Sequence, residues 1–165
     1  MVMADFITSP QLLRERILAI TKRSAGKRFV AAAFVGRDAL SFIPEPSGIE
    51  FYCWDNPIAT HPEGVADLIS TGADVYFVTG LHTKVYWSES AGVLIGSSNV
   101  SASALQDDTT QLEAGVFFKD SKAISIDALR LEIKRLKPRK VDGAALDAFR
   151  KKCINRLGDQ RPRIY

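Results

Sequence analysis

After Ser9-Pro10 the apolar residues recur at helical spacing, at Leu12, Leu13, Ile17, Leu18 and Ile20. This predicts a first helix with serine as its N-cap and proline in its first turn, ending near Arg23. The period then changes. After Gly26 the unbroken apolar run Phe29 to Val35 reads as a buried strand, followed by a short element from Arg37 to Phe42 that Pro44 and Pro46 close. Ile49 to Trp54 predicts a second strand. Thr60 is placed to cap a helix over Pro62 to Ser70, Gly72 to end it, and Asp74 to Thr79 to form the next strand. Strands alternating with helices in this way imply parallel strands joined by helical crossovers.

The second half has a different rhythm. Lys84 to Ser88 and Val93 to Ser97 are short strands, and Glu89-Ser90-Ala91-Gly92 between them has the length and turn residues of a hairpin. A short helix over Ser101 to Gln106 and a strand over Gln111 to Lys119 follow. Helices over Ile124 to Leu136 and Ala144 to Leu157, separated by Pro138 and Gly143, close the chain. The expected architecture is α/β, one mixed β-sheet flanked by helices on both faces, with residues 1–165 as a single domain.

Composition narrows the class. With 46% hydrophobic and 25% charged residues, the chain matches ordinary globular domains. Its longest apolar run, Phe29 to Val35, falls far short of the roughly 20 residues that span a bilayer. Asp5 and Pro10 interrupt any signal-peptide core, so a cytoplasmic location without membrane association is expected. Cys53 and Cys153 lack metal-ligand spacing and read as reduced thiols. The net charge of +3 hides an asymmetry: from Lys119 onward there are 14 Lys or Arg against 6 Asp or Glu, while residues 1–118 are net acidic. Such a basic block is either a solvated helix face or a footprint for a polyanion.

One run carries the chemistry: His82-Thr83-Lys84, four residues, Glu89, six residues, then Gly96-Ser97-Ser98-Asn99. Side chains two apart on a strand share a face, so His82 and Lys84 point the same way and Ser97 and Asn99 can meet them from the neighbouring strand. A phosphodiester gathers negative charge on its nonbridging oxygens as the pentacoordinate transition state forms. Lys84 supplies a compact cation for that charge, and Ser97 and Asn99 supply donors of fixed direction. Gly96 allows close approach of the backbone, because a side chain there would occupy the space the phosphate needs. An imidazole titrates near neutral pH, so His82 can attack phosphorus while a second, protonated histidine donates to the leaving oxygen. One histidine cannot readily do both.

The run resembles the signature of the phospholipase D superfamily, His-x-Lys-x4-Asp-x6-Gly-Ser-x-Asn, with every spacing kept and Glu89 in place of the aspartate. In that family two copies of the motif meet at a twofold, one histidine forming a phosphohistidine and the other acting as general acid, without a metal or other cofactor. A chain with one copy then implies a homodimer with a composite site that brings the two copies of His82 together. The resemblance also implies a histidine-orienting glutamate on a later strand, a place Glu113 fits in order and context. The family acid at position 89 is mostly structural, as is Gly96.

The resemblance and the basic C-terminal third together point to a metal-independent phosphodiesterase, a nuclease acting on DNA or RNA, with Lys151 and Lys152 as substrate-binding cations. Two rivals stand beside it. One is a catalytically silent module that keeps the fold for dimerisation or nucleic-acid binding; the other is a phospholipid or small phosphodiester hydrolase. His61, before Pro62, reads as a loop residue, and Asp107-Asp108 as a solvated turn. Trp54, Trp87 and Tyr86 read as strand aromatics of the core, and Tyr86 is the one to watch as an exception, because it shares the face of His82 and Lys84.

Overall fold

The computed structural model describes residues 3–159. At its centre lies β2 (Arg28–Ala32), buried at every position: Phe29–Ala32 by their apolar character, and Arg28 with its guanidinium donating to the Thr21, Glu45 and Ser47 carbonyls. It pairs in parallel with β3 (Glu50–Cys53), which pairs in parallel with β4 (Asp74–Phe77). On its other side β2 pairs antiparallel with β5 (Lys84–Ser88). β5 pairs with β6 (Gly92–Gly96), β6 with β7 (Gly115–Phe118), and β7 with the edge strand β1 (Ala4–Ile7), all antiparallel. A two-residue β8 (Arg139–Lys140) closes the other edge, giving an eight-stranded mixed sheet in the order β1-β7-β6-β5-β2-β3-β4-β8 among the described residues. The expected parallel crossovers are confined to β2, β3 and β4.

Helices cover both faces. α1 (Pro10–Thr21) starts where Ser9 accepts a hydrogen bond from the Leu12 N–H, with Pro10 in the first turn, and it buries Leu13, Ile17 and Ile20. It shares one face of the sheet with α2 (Ala39–Phe42), α3 (Pro62–Ser70), α4 (Ala102–Leu105) and α6 (Gly143–Asp159). α5 (Ile126–Arg135) buries Ile126 and Ile133 on the opposite face, beside Phe29, Ala31 and Tyr52. Cys53 and Cys153 are both free thiols.

Four local differences from the sequence pattern have physical causes. α3 is capped by His61, whose Nδ1 accepts the Glu63 N–H at 3.2 Å, while the Thr60 hydroxyl turns away to the Trp54 carbonyl at 2.7 Å. β7 begins only at Gly115, because the residues before it turn to bond with Ser97. β1 and β8 leave no mark in the sequence pattern: β1 carries one buried residue, and β8 is too short for any periodicity. Gly96 has its own reason, because a Cβ there would stand 2.4 Å from the Ala114 carbonyl oxygen. The missing side chain therefore serves the approach of β6 to β7.

Candidate active site

The carboxyl ends of β2, β3 and β4 lie at one rim of the sheet, together with the start of β5 and the end of β6. In α/β sheets this rim is where loops gather chemistry. The loop after β4 turns at Gly80, whose φ is 83°, and delivers His82 to the rim immediately before β5. The Thr83 carbonyl accepts the Ala33 N–H at 3.1 Å, which pins this loop to the end of β2.

Lys84 is the first residue of β5 and only 9% exposed. Its ammonium donates to the His82 carbonyl at 3.0 Å and lies 3.2 Å from Nδ1 and 3.3 Å from Nε2 of the same ring. Near-equal distances to both ring nitrogens place the cation over the imidazole face. The in-plane edges of both nitrogens are thereby left open, and the ring itself is exposed. Burial pulls the Lys84 pKa below its ordinary value, and the Glu113 carboxylate acts in the opposite direction.

Ser97 and Asn99 follow directly on β6, beside Lys84 across the β5–β6 pair. The Ser97 N–H donates to the Ala114 carbonyl at 2.9 Å, its hydroxyl donates to the Glu113 carboxylate, and it accepts the Ala114 N–H at 3.0 Å. Asn99 Oδ1 accepts the Phe34 N–H at 3.1 Å. With its oxygen so engaged, the side-chain NH2 is the free donor end. His82, Lys84, Ser97, Asn99 and Glu113 thus gather at one rim, but the Glu113 carboxylate is bonded to Ser97 and not to the His82 ring it was expected to orient.

Glu89 does not join them. It occupies the β5–β6 turn, at the opposite end of β5, roughly 16 Å along the strand from Lys84. There its N–H donates to the Lys27 carbonyl at 2.9 Å and its carbonyl accepts the Ser121 hydroxyl at 2.8 Å. The carboxylate is exposed beside Gly26. Its place in the motif is that of a hairpin residue.

Tyr86, the strand aromatic singled out for sharing the face of His82 and Lys84, lies in the core. It does share the face of Lys84, but one repeat further along the strand that face is core, and Tyr86 is fully buried with its hydroxyl on the Ser98 carbonyl at 2.8 Å. Burial, with Glu113 adding to it, pushes its phenol pKa far up. The aromatics at the rim are Phe34, edge-on to His82 at 6.0 Å, and Trp54, stacked on Phe34 at 6.0 Å. Sequence reasoning missed Phe34 because it sits inside an apolar run, where only strand register shows that it lies beyond the end of β2.

Of the two lysines on α6, Lys152 reaches this rim, donating to the Asp55 carbonyl at 3.4 Å and lying 4.0 Å from its carboxylate. Lys151 is exposed and makes no ion pair among the described residues. Much of the basic block is internally paired: Arg130 with Glu50, Arg135 with Glu132, Lys140 with Asp74, and Arg150 with Glu63 and Asp147. α5 covers the other face, and its Arg130 reaches the end of β3 away from the rim. Among the described residues no three His, Cys, Asp or Glu side chains gather as a metal site.

By sequence, no family model and no curated protein matches the chain. Solved structures do. The phospholipase D family member Nuc from Salmonella typhimurium superposes with a TM-score of 0.64 at 14% identity, over 87% of this chain and 100% of its own. NucT from Helicobacter pylori gives 0.60 at 15% identity, over 86% and 100%. The archaeal chromatin protein TrmBL2, whose structure shows a novel mode of DNA binding, gives 0.51 at 9% identity, over 84% of this chain and 54% of its own. The fold is that of the phospholipase D family.

Proposed function

We propose that this chain, built on the phospholipase D fold, is a metal-independent phosphodiesterase that cuts nucleic acid through a phosphohistidine on His82. The observation that carries the reading is the Lys84 ammonium lying over the His82 ring, 3.2 and 3.3 Å from its nitrogens, with Ser97 and Asn99 beside it at an open rim. That arrangement places a cation where nonbridging oxygens gain charge and leaves an imidazole nitrogen free to attack.

In the first step a ring nitrogen of His82 forms a bond to phosphorus and the bond to the leaving oxygen breaks. His82 of a second copy gives that oxygen its proton. Water then attacks phosphorus, the phosphorus–nitrogen bond breaks, and the second histidine takes the water's proton. Lys84 and the free NH2 of Asn99 stabilise the equatorial oxygens throughout. Glu113 holds the Ser97 hydroxyl and the local positive charge in place.

A homodimer follows from there being one motif per chain. The exposed His82 and the neighbouring Leu112, 88% exposed, support a twofold at this rim. Nucleic acid is the substrate favoured by Lys152, which reaches the rim from α6, by the exposed Lys151 beside it in sequence, and by the fold shared with DNA-binding TrmBL2. Hydrolysis of bis(p-nitrophenyl) phosphate and of a labelled oligonucleotide in EDTA, by a species of twice the chain mass, tests the reading. A monomer with full activity, or a dimer inert toward both, overturns it.

A further inference from the structure

A cleft of about 940 Å³ opens beside the motif and shares only Asn99 with it. That volume is near the top of the range of about 300–1,000 Å³ over which pockets take up small organic ligands. Its walls come from the segment after β2 (Phe34, Arg37), the segment before α3 (Ile58, His61) and the outer face of α6 (Ile154).

Its surface has two characters. One is apolar: Ile58 and Ile154 are 68% and 66% exposed, and Phe34 presents its ring. Trp54, stacked on that ring, and His82, edge-on to it, do not line the cleft, so Phe34 is the aromatic that an occupant of the cleft meets. The second character is cationic. Arg37 is exposed and makes no ion pair among the described residues. His61 accepts the Glu63 N–H on Nδ1, so its neutral ring carries the proton on Nε2, a donor. The Glu63 carboxylate is already taken by Arg150, at 2.8 and 3.1 Å.

A flat apolar ring tied to an anion matches both characters, and such a ligand, entering past Asn99, is continuous with a phosphodiester held at His82. We propose that the cleft is a nucleotide subsite: the base stacks on Phe34, and the phosphate next to the scissile one is held by Arg37 and the Nε2–H of His61. This rests on the reading of the motif as a phosphodiesterase acting on nucleic acid, and it names the substrate class. A base inside a duplex has both faces stacked and cannot enter, so the substrate is single-stranded or locally unpaired.

The test uses the full chain carrying His82→Ala, so that nothing is cut, and a single-stranded oligonucleotide with one 2-aminopurine. Saturable quenching is expected, because stacking on an aromatic ring quenches this base. Phe34→Leu should remove the quenching and weaken binding at least about fivefold, and Phe34→Tyr should restore both. Arg37→Ala, an exposed change that leaves the core intact, should weaken binding and flatten its salt dependence. The matching duplex should bind less tightly than the single strand. Oligonucleotide binding indifferent to Phe34→Leu and Arg37→Ala, tighter binding of the duplex, or displacement of the oligonucleotide by phosphatidylglycerol vesicles would each overturn the subsite. Wild-type hydrolysis of bis(p-nitrophenyl) phosphate separates the two ideas: with it present, those failures fall on the subsite alone. Quenching with no hydrolysis would uphold the subsite and overturn the catalytic reading.

Discussion

The Ser97 hydroxyl donates to the Glu113 carboxylate while accepting the Ala114 N–H, so the end of β6 and the lead-in to β7 are locked together at the site. Glu113 is 8% exposed and also faces Lys84 electrostatically, so one carboxylate both takes the single Ser97 O–H proton, leaving Lys84 and the Asn99 NH2 as the donors open at the rim, and sustains a cation.

Glu113→Gln should therefore shift the pH profile. Lys84 acts in its protonated form, burial lowers its pKa and Glu113 raises it. Removing the carboxylate charge lowers that pKa further, so the alkaline limb of kcat/KM should move to lower pH. An alkaline limb that stays in place would separate Glu113 from Lys84.

The same burial has a consequence for stability. Because the folded pKa of Lys84 lies below 10.5, the unfolded chain binds the proton more tightly, and folding carries a cost below the folded pKa that disappears as pH rises toward 10.5. Lys84→Met should remove that cost. In denaturant titrations the stability of wild type relative to Lys84→Met should rise with pH across the window between the folded pKa and 10.5.

Lys84→Ala should reduce turnover by about 10²-fold or more, the usual loss when a positioned donor to a developing charge is removed. The effect should fall on kcat rather than on KM alone. Activity in millimolar EDTA should equal that without it, since Lys84 supplies the charge a divalent ion would bring; loss on chelation and recovery with magnesium would contradict this.

Glu89→Asp should leave kcat within about a factor of two. The residue sits at the far end of β5, and its backbone bonds to Lys27 and Ser121 persist in either acid. Gly96→Ala should be far more damaging, costing about 1–3 kcal/mol in thermal or denaturant unfolding, because the new methyl group meets the Ala114 carbonyl.

What could be read from the chain was what is local in it. Lys84 opens β5, His82 immediately precedes it, and Ser97 and Asn99 follow the end of β6, so the open end of one hairpin brings them together and spacing alone could place them. α1 and α3 announced their starts with proline and a cap, although the cap of α3 is an imidazole, which no usual preference anticipates. β1 pairs with β7 across most of the chain, and nothing in a mostly exposed tetrapeptide indicates a partner so distant. Tyr86 shows the limit of strand alternation: it gives the face, but burial along that face depends on how deep the strand runs. The cleft at Phe34, Arg37 and His61 was invisible because separate loops build it.

Charge reversal at Lys151 and Lys152 should weaken oligonucleotide binding and lower the slope of log affinity against log salt by about one for each phosphate that is no longer neutralised. Binding that ignores salt would return this part of α6 to a solvated face.

The central claim is tested most directly by trapping the intermediate. Wild-type protein mixed with bis(p-nitrophenyl) phosphate in EDTA and quenched in base within the first turnover should carry an aryl-phosphoryl adduct that is stable to base, labile to acid and located by mass spectrometry on His82. His82→Ala, which removes an exposed ring from the rim, should fold as the parent does and show neither adduct nor turnover. Turnover by wild type with no adduct on His82, or near-normal turnover by His82→Ala, would contradict the account.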